Sequence, residues 1–449
     1  MTWFVRSRAA YARLLLLEAA RERTSTRPEL SSADVGPPSR KGSRTVLDTV
    51  KIASRANQIG STTVWQTVDM RAADVTLDQL ASDPYPILAE LRRHEPVAYV
   101  PSLEMWLVTK WDDVMEVTVN EERFTSATEP SWLNTVLGHN MLGSAGAAHR
   151  RLKDATQPAF SQSATGGWVS ERLPQLCHTL IDEFDAHAPV DLMTAYAEPL
   201  AVMALADALG WTTASTASIG GWTRGVCAGL ANFANDPDLA AVAATANAES
   251  GASIAAQLVE LRKCPTTSGL QKIADHPAGL TDDEIIANVR LMMSGGINEP
   301  RDAICLTVWA LLTQPTVLEE CRRDRMWRQA VDETLRWISP VATATRQVVA
   351  DTVLAGVTLP AGALVAAVLS SANRDEARWT APEEFQLRRT GAHLAFAAGA
   401  HVCLGAWLGR QTVRVATQIL FDRRPNLRLV HQPEIVGFEF RGPTELWVA

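Results

Sequence analysis

From about Trp65 onward, apolar residues recur mostly three or four positions apart, the spacing of half-buried helices, with no repeat or low-complexity break. The clearest element runs from Asp282 to about Leu312. Thr281 with Glu284 three residues later forms a capping box, in which each side chain satisfies a backbone N–H that the first helical turn leaves free, and Pro315 lies just past the far end. A helix of that length reaches about 45 Å, enough to cross a whole domain. Its middle, Ser294-Gly295-Gly296-Ile297-Asn298-Glu299-Pro300, holds two glycines and a proline, which weaken or bend a helix. The pattern therefore predicts a long central helix broken at its midpoint, where something approaches the backbone. Short runs of β-type residues predict strands at Pro96 to Tyr99, Met105 to Val108, Gln347 to Val357 and Leu364 to Val368, the later ones separated by Gly/Pro turns. The expected fold class is mainly α with a minor β region, built as one unit.

The first 64 residues read differently. Met1 to Arg23 is Arg-rich around Leu14 to Leu17, an apolar patch far too short to span a bilayer, and it lacks the long apolar region and cleavage site of a secretory signal. Thr24 to Arg44 is rich in Ser, Pro and Gly and reads as linker. Residues 1–64 are expected to form a loosely ordered tail outside the fold, either a targeting segment or an extension from an upstream start.

Composition narrows the function classes. Of 449 residues, 47% are apolar and 20% charged, an ordinary globular balance, and the net charge is −8. A mildly acidic chain lacks the phosphate-neutralising surplus that nucleic-acid binding rests on. No window is apolar for long enough to span a membrane as a helix, so a cytoplasmic location is expected. The six cysteines, at 177, 227, 264, 305, 321 and 403, show no zinc-ligand rhythm and read mostly as reduced, buried thiols.

Cys403 is the exception. It lies in the loop His393-Leu394-Ala395-Phe396-Ala397-Ala398-Gly399-Ala400-His401-Val402-Cys403-Leu404-Gly405, just before a helix-like run from Ala406 to Phe421. A thiol at a helix N-terminus meets the positive end of the helix dipole and free backbone N–H groups, both of which favour the thiolate. Gly399 and Gly405 would let amides approach the sulfur, and Phe396 can shield it from water. One such sulfur with no second ligand at metal spacing points to haem iron rather than zinc. Phe396, Gly399, Cys403 and Gly405 together resemble the haem-binding signature of the cytochrome P450 monooxygenases.

Further segments fit that resemblance. Glu333-Thr334-Leu335-Arg336 matches the family's E-x-x-R motif, and the third residue of that network would be Arg389, after Pro382 and Phe385; the phrase Ala372-Asn373-Arg374-Asp375 fits as well. Their implied role is structural. His149, Lys153, Arg346 and His401 match positions that hold the haem propionates, with Lys153 standing where arginine is usual, so the charge is kept and the bidentate fork lost. The main departure is at the helix midpoint. The family's acid–alcohol pair, which relays protons to iron-bound oxygen, is replaced by Asn298 and Glu299. Glu299 is expected to inherit the relay, with Asn298 orienting it; the competing reading turns Glu299 away to pair with a cation such as Arg301.

The resemblance spans residues 65–449 and implies the P450 fold as a single haem domain, with haem b held by Cys403 as axial ligand of the iron. It implies insertion of one oxygen atom of O2 into a hydrophobic small molecule, by hydroxylation or oxidative dealkylation. Electrons would derive from NAD(P)H through a separate ferredoxin and ferredoxin reductase, docking near Arg410 and Arg414. By analogy the pocket is lined from about Phe124 to Met141, Asp191 to Asn232, Leu291 to Glu299 and Val341 to Thr345, with Trp132 and Phe233 nearby. Two alternatives stay open: a peroxide-driven peroxygenase, and a non-catalytic haem-binding sensor.

Overall fold

The computed structural model describes residues 71–184, 188–232 and 236–449; the expected N-terminal tail and Phe233 lie outside the described residues. Seven helices and five strands position the site. The helices are α1 (Trp111–Val119), α2 (Gly146–Thr156), α3 (Glu198–Leu209), α4 (Thr216–Leu230), α5 (Asp282–Leu312), α6 (Trp327–Trp337) and α7 (Ala406–Arg423). The strands are β1 (Val97–Val100), β2 (Met105–Val108), β3 (Phe124–Thr125), β4 (Thr343–Val348) and β5 (Leu364–Val368), in spatial order β1-β2-β5-β4-β3. The β2–β5 pair is parallel and the other three are antiparallel. Among the described residues no helix is long and apolar enough to cross a membrane.

The central helix α5 begins where its capping box places it, with Thr281 and Glu284 each accepting from the other's backbone N–H. It differs from expectation at its midpoint: the helix runs unbroken through Pro300. Proline at 300 deletes one hydrogen bond, the one its N–H would have given the Gly296 carbonyl four residues back, and leaves the rest of the ladder intact. Packing supplies what the sequence pattern could not show. From Arg301 to Leu311 every residue is buried, enclosed chiefly by α3, α4, α6 and α7. Tertiary burial decides helix stability more than local propensity does.

The segment expected as one strand, Gln347 to Val357, is instead the end of β4 followed by a small hairpin, Thr352–Leu354 against Val357–Leu359. All six cysteines are free; Cys177, Cys305 and Cys321 are buried, as foreseen, while Cys264 is exposed.

Candidate active site

Between α5 and the loop that precedes α7 lies a cavity of about 570 Å³. Cys403 lines it together with the α5 midpoint, Ser294 to Gly296 and Glu299. The surface that Cys403 exposes is turned to this cavity, and the thiol is otherwise closely surrounded by protein. Its loop is held by a hydrogen bond from the Cys403 N–H to the Phe396 carbonyl at 3.0 Å. Gly399 turns the loop with φ +71°, a left-handed conformation that L side chains resist. A Cβ there would stand 2.7 Å from the Thr118 carbonyl oxygen at the end of α1. Gly399 is therefore needed to let α1 and the loop touch, not to let an amide reach sulfur. The sulfur-facing amide is that of Gly405.

Burial pushes the Cys403 thiol up; the Gly405 N–H, Arg410 and Lys153 pull the other way without overcoming it. Burial, with the Glu299 carboxyl adding to it, thus outweighs the groups that favour the thiolate expected from sequence. A metal cation would be the largest local charge and would reverse that balance.

The family-matched cations converge on one edge of the cavity. His149 and Lys153 share a face of α2, Arg346 comes from β4, and His401 from the cysteine loop. The His149 and His401 rings stack with centroids 3.8 Å apart. Ser126 Oγ lies 2.8 Å from His401 Nε2 and donates its own proton to the Ser144 carbonyl at 2.7 Å, so the proton between Ser126 and His401 is inferred to sit on His401 Nε2. Glu121 Oε1 lies 3.1 Å from the same nitrogen. Glu121 carried no sequence signal, and Ser126 was expected only as part of the Phe124 to Met141 lining; the β3–β4 pairing, Phe124 against Val348, brings their segment beside Arg346.

Burial and neighbouring charges hold these groups back from their charged forms, and the Glu121 carboxylate offsets this only in part. Burial first, then Arg346, His149 and Lys153, push His401 down to about 3; burial pushes Arg346 down to about 10 and also lowers His149. Among the described residues the Arg346 guanidinium, 3% exposed, makes a single hydrogen bond, to the Thr345 carbonyl, and His149 Nδ1 is buried with no partner. Lys153 is already engaged, donating to the Ala400 and Val402 carbonyls, and so ties α2 to the cysteine loop. A buried edge of under-used N–H donors beside an apolar slot and one thiol fits a flat apolar ligand with anionic arms, and haem is such a group.

The E-x-x-R residues form the buried network expected of them. Arg336 meets Glu333 through two 2.8 Å hydrogen bonds and donates to the Asn373 and Pro382 carbonyls, while Arg389 Nε reaches Glu333 Oε1 at 3.0 Å. Arg388, the residue before Arg389, lies at the surface with Glu320 and Asp324.

At the helix midpoint the two unusual residues part company. Glu299 lines the cavity, with Oε2 buried, without a hydrogen-bond partner, and folded back to 3.9 Å from where a Cβ on Gly295 would stand. Burial raises its pKa to about 8. Arg301 extends to Asp302 at 2.8 Å and Glu198 at 3.7 Å. Asn298 is not part of the cavity lining, and its amide donates to Cys227 Sγ on α4 at 2.6 Å, so it does not orient Glu299 as expected. Arg410 and Arg414, expected as docking cations, are both partly buried and bonded, Arg410 to Asp332 and Arg414 to Gln411.

The sequence pattern of the family described as Cytochrome P450 matches residues 263–423. Cytochrome P450 107B1 of Saccharopolyspora erythraea is 29% identical across 84% of this chain and 96% of its own length. Cytochrome P450 monooxygenase PikC of Streptomyces venezuelae is 31% identical across 86% of this chain and 94% of its own. The chain belongs to the cytochrome P450 family. Among solved structures, CalO2 superposes on this P450 with a TM-score of 0.77 at 27% identity, over 83% of this chain and 98% of that one. Haem is the family's cofactor, and this P450 is accordingly a haem-thiolate monooxygenase.

Proposed function

We propose that this P450 oxidises a hydrophobic small molecule in the cavity between α5 and the cysteine loop, with Glu299 as its proton donor. The observation that carries the reading is that Cys403 and Glu299, whose Oε2 is buried with no hydrogen-bond partner among the described residues, line one cavity. Cys403 would hold the haem iron, His149, Arg346 and His401 its propionates, and Phe396 and Gly399 the shape of the sulfur loop, with the Gly405 N–H on the sulfur. When bound, the haem supplies oxygen activation, which a thiolate ligand favours by donating electron density.

The side chains do the rest. Trp132, Leu205, Leu291 and Met292 keep the cavity apolar and exclude water, which favours a hydrophobic substrate. Glu299, neutral below about pH 8, holds a proton at the cavity lining and can deliver it to a group bound there. Glu333, Arg336 and Arg389 would keep α6 and the loops they bond to rigid around the site. The family's reliance on separate redox partners leads us to assign the electrons to a ferredoxin and its NAD(P)H-dependent reductase, in the cytoplasm.

Turnover of a spin-shifting apolar compound with ferredoxin, reductase and NAD(P)H tests this, comparing wild type with E299Q. Wild type should form product, and E299Q should form about a hundredfold less product per NAD(P)H consumed, the low end of what a positioned general acid contributes. Unchanged coupling in E299Q removes Glu299 from the relay. Product with hydrogen peroxide but none with the redox partners makes the protein a peroxygenase instead.

A further inference from the structure

Asp332 stands one residue before Glu333 on α6 and serves a different set of partners. Its Oδ1 accepts from Arg410 Nε on α7 at 2.8 Å and lies 3.7 Å from His393 Nε2 in the cysteine loop. From the solvent side Arg328 comes within 3.7 Å of the other oxygen. The Ala395 N–H donates to His393 Nδ1 at 3.2 Å, so the neutral ring carries its proton on Nε2, facing the carboxylate. Both partners then turn toward one ring. The Arg410 guanidinium carbon is 4.2 Å from the centroid of Phe396, and the His393 ring centroid is 6.0 Å from it. Phe396 is the residue whose carbonyl holds the Cys403 N–H.

One carboxylate thus gathers α6, α7 and the sulfur loop around the aromatic shield of the thiol. A cation over an aromatic face at that distance is attracted to it, and the attachment to Asp332 fixes where the cation sits. Because Phe396 accepts the Cys403 N–H, the guanidinium over its ring carries a positive charge close to the sulfur loop. A neighbouring carboxylate partly cancels that charge, so the field at the sulfur is set by the pair rather than by Arg410 alone.

We propose that Asp332 is a positioning residue for the thiolate, holding Arg410 against Phe396 and thereby setting the one-electron reduction potential of the iron bound to Cys403. The inference rests on the haem-thiolate reading. Reduction adds one electron to the site and no bond, so uncompensated positive charge nearby favours the reduced form and raises the potential.

The test is a spectroelectrochemical titration of the holoprotein with dithionite as reductant, comparing wild type, D332N, R410Q and the double variant. D332N keeps the shape and leaves Arg410 uncompensated, so its potential should rise. R410Q removes the cation, so its potential should fall, and the double variant should return toward wild type. A purely structural role would move both single variants the same way or not at all, and either result overturns the proposal. If D332N fails to retain haem, R410Q decides alone: a fall supports the inference, a rise or no change contradicts it. The CO difference spectrum of wild type is recorded alongside, because loss of its thiolate band would refute the haem-thiolate reading itself rather than the role of Asp332.

Discussion

A carboxyl group shut away from water prefers to be neutral, and Glu299 has neither solvent nor a partner on Oε2 to change that preference. Its pKa of about 8, against an ordinary 4.5, has a consequence for stability as well as for proton delivery. Between those two values the folded protein holds a proton that the unfolded chain releases. Stability from this group is therefore fully present below about pH 4.5 and falls as pH rises toward 8. Unfolding measured across that window should show wild type losing up to about 1.4 kcal/mol per pH unit relative to E299Q, the limit for one proton. Parallel pH profiles for the two proteins would mean that Glu299 is ionised in the fold. The residue's presence at the relay position was legible in the sequence; its direction was not. A side chain on α5 can face the cavity or α4, and only packing assigned Glu299 to the first and Asn298 to Cys227.

Elements were legible wherever their signals are local. The α5 start is set by residues three apart, and the α7 start follows directly on Gly405, so both were readable from the chain. The expected break at Pro300 was wrong because proline's cost is one hydrogen bond, whereas the burial that sustains the helix comes from segments distant in sequence. The α6 network shows the reverse case. Glu333 and Arg336 are three apart on one helix, so a short motif sufficed to place them together, and Arg389 follows from its spacing after Phe385. Glu333 answers two buried guanidiniums, and removing it leaves both uncompensated. E333A should destabilise the holoprotein by about 3–5 kcal/mol, as breaking a buried ion pair does. R388A, at the surface, should change stability by less than about 0.5 kcal/mol. Denaturant unfolding of the pair distinguishes them, and similar midpoints would show that the buried network carries no stability.

At the scale of the whole molecule, the site is an assembly of distant segments. Ser126 and Trp132, His149 and Lys153, the α5 midpoint, Thr343 to Arg346, the cysteine loop and Phe438 to Phe440 all face one cavity. The sequence marked those segments that carry a motif and placed Ser126 within an expected lining segment, but missed Glu121 and Phe440, which reach the site through strand register and the chain's return past β4. The fold brings one thiol to the cavity and leaves the donors at its edge under-used. The account therefore stands on Cys403 being the ligand of haem iron. The most direct measurement is the absorption spectrum of the reduced, CO-treated holoprotein, wild type beside C403S. Wild type should show the long-wavelength Soret band of a thiolate-ligated haem, and C403S should lack it. A wild-type protein that takes up no haem, or a C403S variant that keeps the band, would contradict the account.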